Sequence, residues 1–266
     1  MPMMSLTDAY ESAKQLLDAG HYRAAVRSAE VLYKQTPHHP PVIALYINCL
    51  LRVQQHDLGV RIAKRALRNI THKPHRVMII THLVDTMTQA GQLDEAIEMV
   101  REELNAQPDN LSLAASLAHA LVMSDRHEEA VELIEGCRER GIESLNLAAV
   151  LGRALVRTDR RDEVIEYIEH LLETQDDDSD AGKHQVYNTL GQLYDKAKRY
   201  DDAMDAYQKS NAVVTPDFDE RRLENTLASI KRSWTPERFA KATRPEPSGP
   251  PPVFIVGIPR SGTTLT

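Results

Sequence analysis

From Val77 onward, apolar residues return three and four positions apart, the spacing of one face of a helix, and the pattern repeats as a block. Laid over one another at a period of 34 residues, the blocks 77–110, 111–144 and 145–178 align Leu83 with Leu117 and Leu151. Val84 then meets Ala118 and Gly152, and Met87 meets Leu121 and Leu155. The second half of each block keeps the register: Ala96, Ala130 and Val164 fall together, as do Val100, Ile134 and Ile168. Each block therefore predicts two antiparallel helices, with small residues where they cross and bulky ones between. Earlier blocks at 6–39 and 40–73 carry the same pattern, the second in degenerate form, with Gly59 in place of Ala and Pro74 arriving late. A last block at 184–217 follows an acidic insertion at 176–182 and holds Tyr187, Leu190, Gly191, Tyr194, Tyr200, Ala203 and Tyr207. Gly20 and Gly91 suit the turns inside blocks, and Pro37 and Pro108 end second helices. Asp125 and Asp159 replace glycine at two turns, where a carboxylate is expected to accept the free N–H groups of the following helix.

A 34-residue period with small residues at the eighth and twentieth places resembles the tetratricopeptide repeat. The resemblance implies an all-α superhelix, an α-solenoid of about six helix-turn-helix repeats. A solenoid of this kind needs an end cap. Residues 219–242 are read as capping helices, with Leu223, Leu227 and Ile230 at helical spacing and Thr235-Pro236-Glu237 opening a short second helix. In such folds the first helix of each pair lines a concave wall, and its ninth position faces the groove. Here that row is Lys14, Asn48, Asp85, His119, Arg153 and Gln192, with Asn146 and Asn188 nearby, and it is expected to take a protein or peptide partner. Repeats that grip chaperone tails carry Lys-x-x-x-Asn in their first helix. Tyr10 and Lys14 stand at those places, which disfavours that partner class.

Residues 244–252 are a proline-rich extended linker. Beyond it, Val253-Phe254-Ile255-Val256 reads as a buried strand running into Gly257-Ile258-Pro259-Arg260-Ser261-Gly262-Thr263-Thr264, a glycine-bounded loop able to cradle an anion on backbone N–H groups. Thr263 stands where a Walker A loop requires lysine, which argues against an ordinary nucleotide triphosphatase. The string FIVGIPRSGTTL resembles the 5′-phosphosulfate loop of sulfotransferases that use 3′-phosphoadenosine 5′-phosphosulfate (PAPS). Repeats, cap, linker and loop follow the domain order of the bacterial tetratricopeptide-repeat-containing sulfotransferases, although Thr266 stands where that family commonly has leucine. By that resemblance, Arg260 would stabilise the leaving group in the transition state, and Arg260, Ser261, Gly262, Thr263 and Thr264 would hold the donor. Residues 253–266 are thus expected to be a short β-strand and P-loop-like stub of a truncated α/β domain. The catalytic base would lie downstream, and no cofactor is expected on this chain alone. The alternative expectation is a stand-alone repeat adaptor that binds a peptide or protein in its groove.

Composition narrows these choices. The net charge of −7 gives no footprint for nucleic acid. No stretch reads as a signal peptide or membrane span, and a cytoplasmic protein is expected. Aromatic residues make up only 5%, in keeping with helices packed through Ala, Leu, Val and Met, so the tyrosines of the last block are read as core. Asp176-x-Asp178-x-Asp180 resembles the start of a calcium loop, but Ala181 and Tyr187 stand where glycine and a bidentate glutamate are needed. The histidines lack partners in metal-ligand register, and no metal is expected.

Overall fold

The computed structural model describes residues 5–174, 180–213 and 220–241. Every regular element among them is a helix. Six antiparallel pairs follow one another: α1 (Leu6–Asp18) with α2 (Tyr22–Gln35), α3 (Pro40–Arg52) with α4 (His56–Leu67), and α5 (Lys73–Gln89) with α6 (Leu93–Ala106). Then come α7 (Leu111–Met123) with α8 (His127–Glu139), α9 (Leu145–Leu155) with α10 (Arg161–Thr174), and α11 (Asp180–Lys196) with α12 (Tyr200–Val213). The expected strand and loop at 253–266 and the linker at 244–252 lie outside the described residues.

The turns inside the pairs share one design. In five of the six, a residue in the left-handed region follows the first helix: Gly20, Gln54, Gly91, Asp125 and Lys198, with φ between 58° and 74°. The next N–H reaches back five residues, as in Gln92 N to Met87 O at 2.9 Å and Arg126 N to Leu121 O at 2.9 Å. This bond satisfies a carbonyl that the helix end would otherwise leave free. Asp125 is therefore not the helix-opening acceptor that its sequence position suggested. Its φ of 58° makes it a helix-closing residue, and α8 has no side-chain cap. The sixth turn is built differently: Thr158 donates through both N–H and Oγ1 to Leu155 O, at 2.9 and 2.8 Å.

First helices lie against their own partner and against neighbours before and after, as α9 does against α7, α8, α10 and α11. With so little surface left, α3, α7 and α9 bury most of their residues, including Ile43, Ile47 and Leu50 in α3 and Leu145 to Leu151 (Asn146 excepted) in α9. Second helices bury only one stripe, such as Ala96, Ile97, Val100 and Leu104 in α6. One continuous core runs from Ala13 to Ala206. The buried hydroxyls of Thr86, Thr189 and Ser210 each donate to a backbone carbonyl.

Outside the core, ion pairs link successive repeats. Lys64 meets Glu95 at 2.5 Å, Arg101 meets Glu129 at 2.9 Å and Arg160 meets Glu135 at 2.6 Å. Arg76 is more deeply held: Nη2 and Nε donate to the Glu103 carboxylate, and Nη1 donates to the carbonyls of Leu67 and Ile70, both at 3.0 Å.

A separate unit contains α13 (Glu220–Ser233) and α14 (Pro236–Lys241). Leu223, Leu227 and Ile230 of α13 are each about half exposed. Arg238 N donates to Thr235 Oγ1 at 3.4 Å, which places the threonine as the cap of α14.

Candidate functional site

With its own partner and both neighbours packed around it, each first helix of the middle repeats keeps one narrow stripe uncovered. Residues at equal places in successive repeats fall on equal stripes, because adjacent first helices pack side by side. Asp85 of α5, His119 of α7 and Arg153 of α9 occupy that equal place and line one cleft of about 410 Å³. Asn146 lines it too. Thr81, Ser112, Ser116 and Gln185 complete the polar wall and were not anticipated from the sequence. The signal for them is helical spacing: Thr81 lies four residues before Asp85, Ser116 three before His119, and Gln185 seven before Gln192.

The other residues of the expected row are elsewhere. Lys14 on α1, Asn48 on α3, and Asn188 and Gln192 on α11 do not line this cleft. Gln192 Nε2 donates to Asn188 Oδ1 at 2.8 Å, so these two amides satisfy each other in part. Arg260, Ser261, Gly262, Thr263 and Thr264 fall outside the described residues.

Burial shapes the charges in the cleft. The Asp85 carboxylate is reached by water but stands between protein walls. Desolvation raises its pKa, and the nearby Arg52 charge partly opposes the rise. The His119 pKa is lowered by burial first and by the Arg153 cation second, which keeps the imidazole neutral near pH 7. His82, one turn before Asp85, is lowered by burial alone. Burial also lowers the Arg153 pKa, yet a guanidinium stays charged. Its Nε and Nη2 are buried and have no hydrogen-bond partner. Leaving buried donors unmade costs about 1–3 kcal/mol, more when the group is charged. Arg153 thus brings to the cleft wall a permanent cation, two of whose donors are unpartnered and closed off from water, with a neutral imidazole nearby and a carboxylate two helices away. Such a set can hold an extended polar chain; Ser112 and Ser116 line it as well, and among the described residues neither hydroxyl is hydrogen-bonded to His119.

A second cleft, of about 490 Å³, opens among α10, α11 and α12 and is lined by Glu169, Glu173, Tyr187, Tyr194, Asp202 and Lys209, among others. Three of its polar groups, Glu169, Tyr194 and Asp202, are already partnered. The Tyr194 hydroxyl donates to Glu169, Arg199 lies 4.5 Å from the centre of the Tyr194 ring, and Arg199 pairs with Asp202 at 2.7 Å. Tyr194 is core, as its place in the repeat suggested, whereas Tyr200 is 64% exposed and is not. Among the described residues, no group of three or more His, Cys, Asp or Glu side chains could hold a metal ion. None of the described helices is long and apolar enough to cross a membrane.

No curated protein matches the sequence. A profile for the tetratricopeptide repeat matches residues 184–212. Among solved structures, a thermophilic tetratricopeptide-repeat protein of Thermus thermophilus is similar, with a TM-score of 0.54 at 15% identity, over 75% of this chain and 99% of that one. A tetratricopeptide-repeat protein from Parabacteroides merdae gives a TM-score of 0.53 at 14% identity, over 79% of this chain and 80% of that one. At these identities the likeness concerns the fold, and it agrees with the helix pairs and their turns. Residues 184–212 are a tetratricopeptide repeat, and the six helix pairs form an all-helical solenoid of the tetratricopeptide-repeat kind.

Proposed function

We propose that the chain is a protein-interaction scaffold that receives an extended partner segment in the cleft crossed by α5, α7, α9 and α11. The observation that carries this reading is the convergence of polar side chains from four successive first helices on one trough, where Arg153 keeps two buried donors unused. Free, buried Cys49 and Cys137 accord with a cytoplasmic setting.

The test uses peptides of about ten residues, long enough to cross the four helices, selected from a display library against the whole chain. Ser116→Trp and Asn146→Trp each fill the cleft, and Glu173→Arg alters the second cleft as a control. Either tryptophan is expected to weaken the selected peptides by at least about tenfold, roughly 1.4 kcal/mol, with the control unchanged. Unchanged affinity in both tryptophan variants would refute the reading.

The string Val253 to Thr264 supports a second reading, in which the repeats are the scaffold of a PAPS-dependent sulfotransferase. Arg260 would then offset charge on the departing phosphate, and Ser261 to Thr264 would hold it through N–H and hydroxyl groups. A single phosphate loop gives PAPS an affinity no better than about millimolar, some 4 kcal/mol. Calorimetry of PAPS with this chain and with Arg260→Ala tests it. Weak binding lost in the variant supports the reading, and micromolar binding or binding indifferent to Arg260 opposes it.

A further inference from the structure

We infer that Arg153 anchors an internal Asp or Glu side chain of the partner segment lying along the cleft. The inference rests on the scaffold reading above and adds the chemistry of the partner. Arg153 Nε and Nη2 are neighbouring donors of one planar fork, the pair that a carboxylate accepts side by side, and because water does not reach them in the free chain the side chain must turn into the cleft to offer them. Neither is used, and no ion pair to Arg153 occurs among the described residues. The charged and titratable groups lining the cleft are Asp85 and His119. His119 is neutral and can donate one N–H beside the guanidinium. Asp85 belongs to α5, with α7 standing between it and α9, so it does not compete for the fork.

The cleft also indicates that the carboxylate is internal to the partner and not its chain end. Hydrogen-bonding side chains continue on both sides of Arg153, with Ser116 and His119 of α7 on one and Gln185 of α11 on the other. A partner therefore runs past Arg153, and a terminus carrying an acidic residue would bring two negative charges to a single guanidinium.

The test selects peptides from a library with free internal positions and blocked C-termini, in parallel with one having free C-termini, against the whole chain. The strongest binder is then measured by calorimetry as synthesised and with its acidic residue changed to the amide. Each form is titrated against the unaltered protein, Arg153→Gln and Arg153→Lys, with circular dichroism showing that the variants keep their helices. An internal Asp or Glu is expected in the selected sequences. Changing that residue or Arg153→Gln should each weaken binding about 10- to 100-fold, and the two changes together should do little more than one. Arg153→Lys keeps the charge without the fork and should recover only part of the loss.

Four outcomes overturn the inference. Binders that lose affinity in Ser116→Trp but ignore Arg153→Gln leave the scaffold reading standing and remove the anchor. Selection from the free-terminus library alone assigns the site to a chain end. Tighter binding of a phosphoserine version of the peptide than of the Glu version assigns it to phosphate. Binders indifferent to both Ser116→Trp and Asn146→Trp remove the scaffold reading, and the inference falls with it.

Discussion

Asp85 and Arg153 hold the same place in their repeats and line the same cleft, and burial works against the charge of each. Their position was legible from the 34-residue period, because equal places in a repeat fall on equal stripes of stacked helices. The bearing of Arg153 was not, since a sequence does not say which donors are left unused. Asp125 shows the opposite limit: it was placed correctly at a turn, but its role depends on a backbone angle that residue type only biases. At φ 58° and 62°, Asp125 and Lys198 sit where a side chain is strained and glycine is not. Asp125→Gly and Lys198→Gly are each expected to stabilise the fold by about 0.5–1 kcal/mol in chemical denaturation, despite the greater freedom of glycine in the unfolded chain. A loss of stability in both would contradict the turn geometry. The Glu103 pKa is lowered chiefly by its hydrogen bonds to Arg76, with desolvation opposing. The pair therefore contributes in full above the ordinary glutamate pKa, from about pH 5 upward, and its contribution fades as pH falls through the lower folded value. Arg76→Ala should cost about 1–2 kcal/mol at pH 7 and progressively less below pH 4. An equal cost at both values would show that packing, not the pair, is what was lost.

Helices take their burial from their place in the stack. First helices such as α9 are enclosed on several sides and read as apolar nearly throughout, and second helices such as α6 read as one-sided. That contrast was visible in the sequence as alternating blocks. The close contacts were visible only as small residues at fixed places, without their partners. Gly191 of α11 faces the Tyr207 ring of α12 so closely that an added Cβ would lie 2.4 Å from Cε1. Gly152 of α9 is similarly close to Thr189 of α11, at 2.7 Å. Gly191→Ala is expected to destabilise the array by about 1–3 kcal/mol, because the ring must leave its place. Pairing it with Tyr207→Leu should restore part of that loss, and no restoration would mean that the contact is not the cause. The outer ion pairs are weaker features. Arg101 and Glu129 are each more than a third exposed, so Glu129→Gln should leave stability nearly unchanged in chemical denaturation.

Across the repeats there is a row of equivalent positions, and in the middle of that row the side chains converge on a polar trough. Asn48, Asn188 and Gln192 share the repeat place or the helix face and stay outside it. The sequence pattern thus conveyed the scaffold and the general face, whereas the site's extent follows from how α5, α7, α9 and α11 come together. The claim on which the functional account turns is that a partner lies in that trough. Site-specific photocrosslinking tests it most directly, with a photoreactive residue placed at Ser116 in the cleft and, separately, at Glu173 in the second cleft. The selected peptide is predicted to crosslink from Ser116, to lose that crosslink in Arg153→Gln, and not to crosslink from Glu173. Crosslinking from Glu173 with none from Ser116 would contradict the account.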